Sequence, residues 1–238
     1  MQRDELKALR EDVVARAREA FARMDEVAEY NTRKVLDAMR ACRVSDAHFG
    51  VSAGYAYSDL GREKLDELYA RVFGAERALV RMQFVSGTHA LATVLFGILR
   101  PGDQLVSITG APYDTMQTVI GWAHESVGSL KEFGVDYDEL PMQDGHVDMD
   151  GIDRIVTART KLALVQRSRG YSEREPLSIE DIRAVSARIK AANPNCIVFV
   201  DNCYGEFVDT VEPTEIADVD IMAGSLIKNP GGGLAPTG

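Results

Sequence analysis

The chain is 238 residues long, 45% hydrophobic and 27% charged, with a formal net charge of −10, which allows one large globular domain or two small ones. An acidic balance without a lysine- or arginine-rich run argues against nucleic-acid and anionic-membrane partners, and no apolar run approaches the length of a membrane span. The charged start lacks the apolar core of a signal peptide, and Cys42, Cys196 and Cys203 follow neither metal-ligand nor disulfide spacing, so the composition predicts a reduced, cytoplasmic protein.

Residues 4–40 predict one long helix. Leu6, Leu9, Val13, Ala17, Phe21, Met24, Val27 and Ala28 recur at threes and fours, and no proline or glycine interrupts them. The apolar face of that helix needs cover, from the rest of the chain or from a partner subunit. Residues 49–61 form an irregular aromatic segment punctuated by glycine, and residues 62–73 a second helix that stops at Gly74. From Ala78 onward strands and helices alternate. Strands are expected at 78–85, 104–109, 161–166, 196–201 and 220–225, with a short one near 125–127. Helices are expected at 88–99, 114–124, 147–156 and 179–192, the last capped by Ser178. Near-continuous apolar strands alternating with helices imply an α/β fold, a mostly parallel sheet with helices on both faces. Trp122 reads as core.

In such sheets ligands sit beyond the carboxyl ends of the strands. Ser86-Gly87-Thr88 follows the first expected strand and opens a helix, where backbone N–H groups and two hydroxyls suit a phosphate or an ordinary cap. Tyr113 stands on the turn after the second strand, placed to stack on a flat ring, to donate a proton or to pack at the rim. Asp201 ends a strongly apolar strand, so its carboxylate needs a cation or several hydrogen bonds. Lys228 follows the last strand and precedes Gly231-Gly-Gly233. A lysine there is either solvated or desolvated enough to act as a neutral amine in imine chemistry. Asp201 and Lys228 are 27 residues apart, the length of one βαβ step, so both can face one cavity. A ligand that is phosphorylated, flat, basic at a ring nitrogen and reactive toward an amine satisfies the whole set, and pyridoxal 5′-phosphate has all four properties.

Residues from 49 to 238 resemble the fold-type-I pyridoxal-phosphate enzymes of cysteine and methionine metabolism. The likeness is strongest to the methionine gamma-lyase-like, or aluminium-resistance, family. It is carried by Gly54-Tyr-Ala-Tyr-Ser-Asp-Leu-Gly-Arg62, Val85-Ser-Gly-Thr-His-Ala90, Gly110-Ala-Pro-Tyr-Asp-Thr115 and, most specifically, Gly224-Ser-Leu-Ile-Lys-Asn-Pro-Gly-Gly-Gly233. The resemblance implies a helical arm at 1–48 and a cofactor-binding large domain at 49–238. Lys228 would be the imine-forming lysine, Asp201 the partner of the ring nitrogen and Tyr113 the stacking ring and possible acid. Ser86, Gly87, Thr88 and Ser225 would be the phosphate ligands. Tyr57 and Arg62 are candidates to reach the phosphate of a neighbouring subunit in a homodimer or homotetramer. It also implies an amino-acid substrate, sulfur-containing by analogy, cleaved by β- or γ-elimination, with transamination, aldol cleavage and a non-catalytic role in metal tolerance as rivals. A nucleotide binder that keeps the sheet without the cofactor is a further rival. The sequence departs from the better-known lyases at Asp59, where they carry arginine, and at Ile227, where they carry threonine. A third departure is Gln166-Arg-Ser-Arg-Gly-Tyr171, where Arg167 and Arg169 could address the cofactor, bind a substrate anion or make surface ion pairs. The resemblance further implies an antiparallel strand and a small C-terminal domain beyond Gly238, carrying the arginine for the substrate carboxylate. A chain ending at Gly238 is then expected to hold cofactor poorly and to be inactive.

Overall fold

The computed structural model describes residues 3–52, 54–55, 59–123 and 126–231. Among the described residues six α-helices and five strands follow in order: α1 (Arg3–Ala41), α2 (Leu60–Val72), α3 (Gly87–Ile98), β1 (Gln104–Ser107), α4 (Asp114–Ile120), β2 (Asp136–Glu139), α5 (Met149–Ile155), β3 (Thr160–Gln166), α6 (Ile179–Ala192), β4 (Ile197–Asp201) and β5 (Ile221–Ala223). The strands form one sheet in the order β2-β1-β3-β4-β5, and every pairing is parallel.

Strand periodicity divides the core in two. Val106, Ala163, Val165, Val198 and Val200 point to one face, where Ile152 of α5 and Ile182, Val185 and Ile189 of α6 close over them. Leu105, Leu162, Leu164 and Phe199 point to the other, against Leu91 and Leu95 of α3 and Met116 and Ile120 of α4. The expected sheet covered on both faces is therefore present. A third cluster joins Ala38 and Cys42 to Leu68, Val72 and Phe73 of α2. Intramolecular cover of α1 is confined to this C-terminal part, while Leu6, Leu9, Val13, Phe21 and Met24 stay 49–66% exposed.

Three expectations fail. Residues 78–85 form no strand. A strand exists only through its neighbour, and here the Val80 N–H bonds to the Asp66 side chain while Leu79, Met82 and Val85 are exposed. The short strand expected near 125–127 also fails: residues 126–127 are not in a strand, Val127 is exposed, and positions 124–125 lie outside the described residues. The strand at that edge is β2, whose Asp-Tyr-Asp-Glu sequence has low strand propensity and shows only alternate half-burial. Trp122 is half exposed and leans on Tyr137, with ring centroids 5.0 Å apart.

Candidate active site

The carboxyl ends of β1, β4 and β5 and the N-terminus of α3 converge on one cavity of ≈300 Å³. It is lined by Ser86, Gly87, Thr88, Tyr113, Ser225 and Lys228, with Val85 and Ile227 at its edge. Ser86 caps α3 by accepting from the His89 N–H at 3.1 Å, which leaves the first-turn N–H groups of a 12-residue helix directed at the cavity. Gly87 is required here by space. A Cβ at this position would lie 2.9 Å from the Ser225 Cβ and 3.3 Å from the Cys203 Sγ. The Thr88 and Thr115 hydroxyls pair at 3.0 Å, joining α3 to α4.

Asp201 lines neither this cavity nor its larger neighbour but lies within electrostatic reach of Tyr113 and Lys228, 3% exposed. The Cys203 N–H donates to its Oδ1 at 3.0 Å. Burial raises the carboxyl above its usual range, against the opposing pull of the Cys203 N–H and of nearby Lys228. Tyr113 is half buried, and burial, with the charge of Asp201 second, keeps its phenol protonated well beyond neutrality.

The lysine loop is clamped to the turn after β4. The Lys228 N–H donates to the Ser225 carbonyl at 3.1 Å, and its ammonium lies 4.2 Å from the centroid of the Tyr204 ring. The Asn229 Nδ2 donates to the Tyr204 and Glu206 carbonyls, both at 3.0 Å. The Glu206 Oε1 accepts the Ser225 N–H at 3.0 Å. Gly224 makes room for this contact, since a Cβ there would stand 2.5 Å from the Glu206 Oε1. Tyr204 and Phe207 reach these positions at φ 67° and 61°, left-handed values uncommon for side-chain-bearing residues. Burial pushes the Glu206 carboxyl up to about 7. Tyr204, Glu206 and Asn229 were not singled out from the sequence; the only signal was their place in the polar runs beside Asp201 and Lys228.

A second cavity of ≈940 Å³ opens beside the first and shares Tyr113 and Lys228 with it. Its wall includes the loop after β3. Arg167 is 3% exposed and donates from Nη1 to the Asn202 Oδ1 at 3.0 Å and the Gly205 carbonyl at 2.7 Å, from Nε to the Leu177 carbonyl at 3.4 Å, and from Nη2 to Asp209. It is a buried brace, and the ion pair that was one reading of it is made with the half-exposed Asp209. Arg169 is exposed at the wall of the cavity. Arg62 lines neither cavity; its Nη1 donates to the Gly54 carbonyl at 3.3 Å. Tyr57 lies outside the described residues. Among the described residues no group of three or more His, Cys, Asp or Glu side chains could hold a metal ion, and no helix is long and apolar enough to cross a membrane.

Comparison with known proteins adds to this geometry. The profile of the family described as Methionine gamma-lyase matches residues 6–238. The uncharacterized protein YnbB of Bacillus subtilis is 49% identical over 217 residues, which cover 90% of this chain and 51% of that protein. A structure from Clostridium novyi described as a carbon-sulfur lyase involved in aluminum resistance is 46% identical with a TM-score of 0.93, covering 99% of this chain and 56% of that one. A methionine gamma lyase from Micromonospora echinospora, 22% identical with a TM-score of 0.54 over 74% of this chain and 43% of that one, shares the fold. The chain spans about half the length of the relatives it matches.

Proposed function

The chain belongs to the methionine gamma-lyase family, and we propose that it is the large domain of a pyridoxal-phosphate-dependent carbon–sulfur lyase. On this reading it cleaves a sulfur-containing amino acid by β- or γ-elimination, giving a keto acid, ammonia and a thiol. The observation that carries the reading is Ser225. Its hydroxyl belongs to a residue 1% exposed, has no hydrogen-bond partner, and faces Gly87 at the N-terminus of α3. A buried hydroxyl without a partner costs free energy, and a phosphate seated on that helix end would accept from it. Asp201, a buried carboxylate with one backbone donor, fits a protonated ring nitrogen equally well.

Pyridoxal phosphate, when bound, supplies an electrophilic aldehyde and a ring that accepts electrons. This chain supplies the rest. Ser86, Gly87, Thr88 and Ser225 would hold the phosphate, and Tyr113 would stack on the ring. Asp201 would keep a proton on the ring nitrogen, its burial strengthening that ion pair in a low-dielectric setting. Lys228 would leave the Tyr204 face to hold the cofactor's aldehyde, and once the substrate's amine has displaced it, its freed Nζ would take the substrate's α-proton. The raised phenol of Tyr113 remains protonated and so can donate to the departing sulfur. Water enters from the larger cavity to release the keto acid and ammonia. The protein is further proposed to be a homo-oligomer in which Tyr57 and Arg62 serve the neighbouring subunit.

Borohydride reduction of the full-length protein that contains this chain, after incubation with pyridoxal phosphate, tests the assignment. The expected result is a pyridoxyl mass on the tryptic peptide containing Lys228, lost in Lys228→Ala. Labelling absent from Lys228 would overturn it. Keto acid and ammonia released without a keto-acid acceptor separate elimination from transamination.

A further inference from the structure

The larger cavity, at ≈940 Å³, lies near the top of the range of about 300–1,000 Å³ for small-molecule sites. It has more room than an amino acid's α-carbon substituents need. It begins at Lys228 and Tyr113, so it lies where a substrate's side chain would extend once its amine is at the reacting lysine. The chemistry of its wall therefore selects the far end of the substrate.

That wall is built on two buried arginines. Arg167 spends its guanidinium on Asn202, Gly205, Leu177 and Asp209. Arg174, 8% exposed, donates to the Glu175 carbonyl at 2.9 Å, the Gln166 carbonyl at 2.8 Å and the Ser168 carbonyl at 2.6 Å. Ser172 closes the loop, its N–H and Oγ both donating to the Arg169 carbonyl, at 3.1 and 2.6 Å. Burying two guanidinium groups to hold eleven residues of surface loop is expensive unless the loop must keep its shape. The side chain this shape presents to the cavity is Arg169, which makes no ion pair among the described residues. Of the acids on the same wall, Asp209 is held by Arg167, while Asp114 and Glu175 are exposed and form no ion pair among the described residues with Arg169.

We propose that the cavity beside Lys228 is a subsite for the distal end of the substrate side chain. Arg169 reads an anionic group there, so the substrates taken best are S-substituted amino acids whose substituent ends in a carboxylate or similar anion. The planar guanidinium suits such a group by two parallel hydrogen bonds. The inference rests on the lyase reading for the nature of the ligand; the subsite itself is read from the cavity wall.

Three probes of similar length decide it: S-carboxymethyl-L-cysteine, S-ethyl-L-cysteine and S-(2-aminoethyl)-L-cysteine. Each is titrated calorimetrically into the full-length protein that contains this chain, with and without pyridoxal phosphate, and keto-acid release is followed in parallel. The expected order of affinity is anionic, neutral, cationic, with a preference of about fivefold for the anion over the neutral probe. Arg169→Ala should erase that preference and Arg169→Lys should restore part of it. Equal affinities in the unaltered protein, or a preference that survives Arg169→Ala, overturn the proposal. Uniform weakening of all three probes by Arg169→Ala would place the guanidinium on the α-carboxylate instead and overturns it too. Absence of keto acid with the charge order intact tells against the lyase reading and leaves the subsite standing.

Discussion

A carboxyl group 3% exposed, with one oxygen on the Ser225 N–H and the other unpartnered, is costly to ionise. Glu206 therefore titrates at about 7 in the folded protein, while its ordinary value is 4.5. The folded state then binds the proton more tightly than the unfolded chain. Stability contributed by this group is full below about 4.5 and is lost as pH rises toward 7, a loss of roughly 3 kcal/mol at most. Glu206→Gln keeps an acceptor for Ser225 and removes the titration. Thermal unfolding across a pH series should show Glu206→Gln gaining on the unaltered protein between about pH 4.5 and 7 and holding that gain above it; a difference flat in pH would rule the assignment out. The same residue shows where sequence reading stops. Lys228, Asp201, Tyr113, Ser86, Gly87 and Thr88 could be singled out because each directly follows, or opens beside, an apolar run; the structure lines one cavity with all of them but Asp201, which lies within the electrostatic reach of Lys228. Glu206, Tyr204 and Asn229 meet the lysine loop only because two side-chain-bearing residues adopt left-handed backbone, and no pattern of hydrophobicity encodes that. Arg167 and Arg169 look alike in the sequence. Burial alone distinguishes the brace from the exposed group.

Elements with their own periodicity were legible to within a few residues. The helix expected at 179–192 is α6, with Ser178 and Asp181 bonding reciprocally across its first turn. β3 and β4 are continuous apolar runs that only a doubly covered sheet can bury. Residues 78–85 have the same look and form no strand, because strand identity belongs to a pair of segments and this one has no neighbour in the sheet. The attachment of α1 was partly hidden, since one polar side chain works beside the apolar cluster around Ala38 and Cys42. Asn31, 5% exposed, donates from Nδ2 to the Phe207 carbonyl at 3.1 Å and the Asp209 carbonyl at 3.0 Å. Those residues lie in the segment whose Asp209 pairs with Arg167, so α1 steadies the wall of the larger cavity from outside. Asn31→Ala should cost about 1–3 kcal/mol in denaturant unfolding, as two carbonyls lose their donor. A loss within 0.5 kcal/mol (the usual scatter of surface substitutions) would show that the helix is held by the apolar cluster alone.

At the scale of the molecule, a sheet buried on both faces places every strand's carboxyl end on one edge, and the candidate site occupies that edge. The α1 helix does not fit so economical a plan. Its 39 residues extend about 58 Å, and no residue of it before Asn31 is buried. Leu6, Leu9, Val13, Phe21 and Met24 recur along one face and remain 49–66% exposed, and a stripe of that kind in water usually meets another surface. A second copy is the occupant that the homo-oligomer proposed above would supply. Sedimentation at micromolar concentration should therefore show a dimer or a larger assembly. Changing Leu9 and Phe21 to glutamate removes two large apolar contacts of about 1.5–3 kcal/mol each, which should weaken association by roughly a hundredfold or more and shift the protein toward single chains. Circular dichroism on the same samples checks that the sheet domain stays folded. A protein that sediments as one chain before any substitution would refute the assembly and leave the stripe on α1 unexplained.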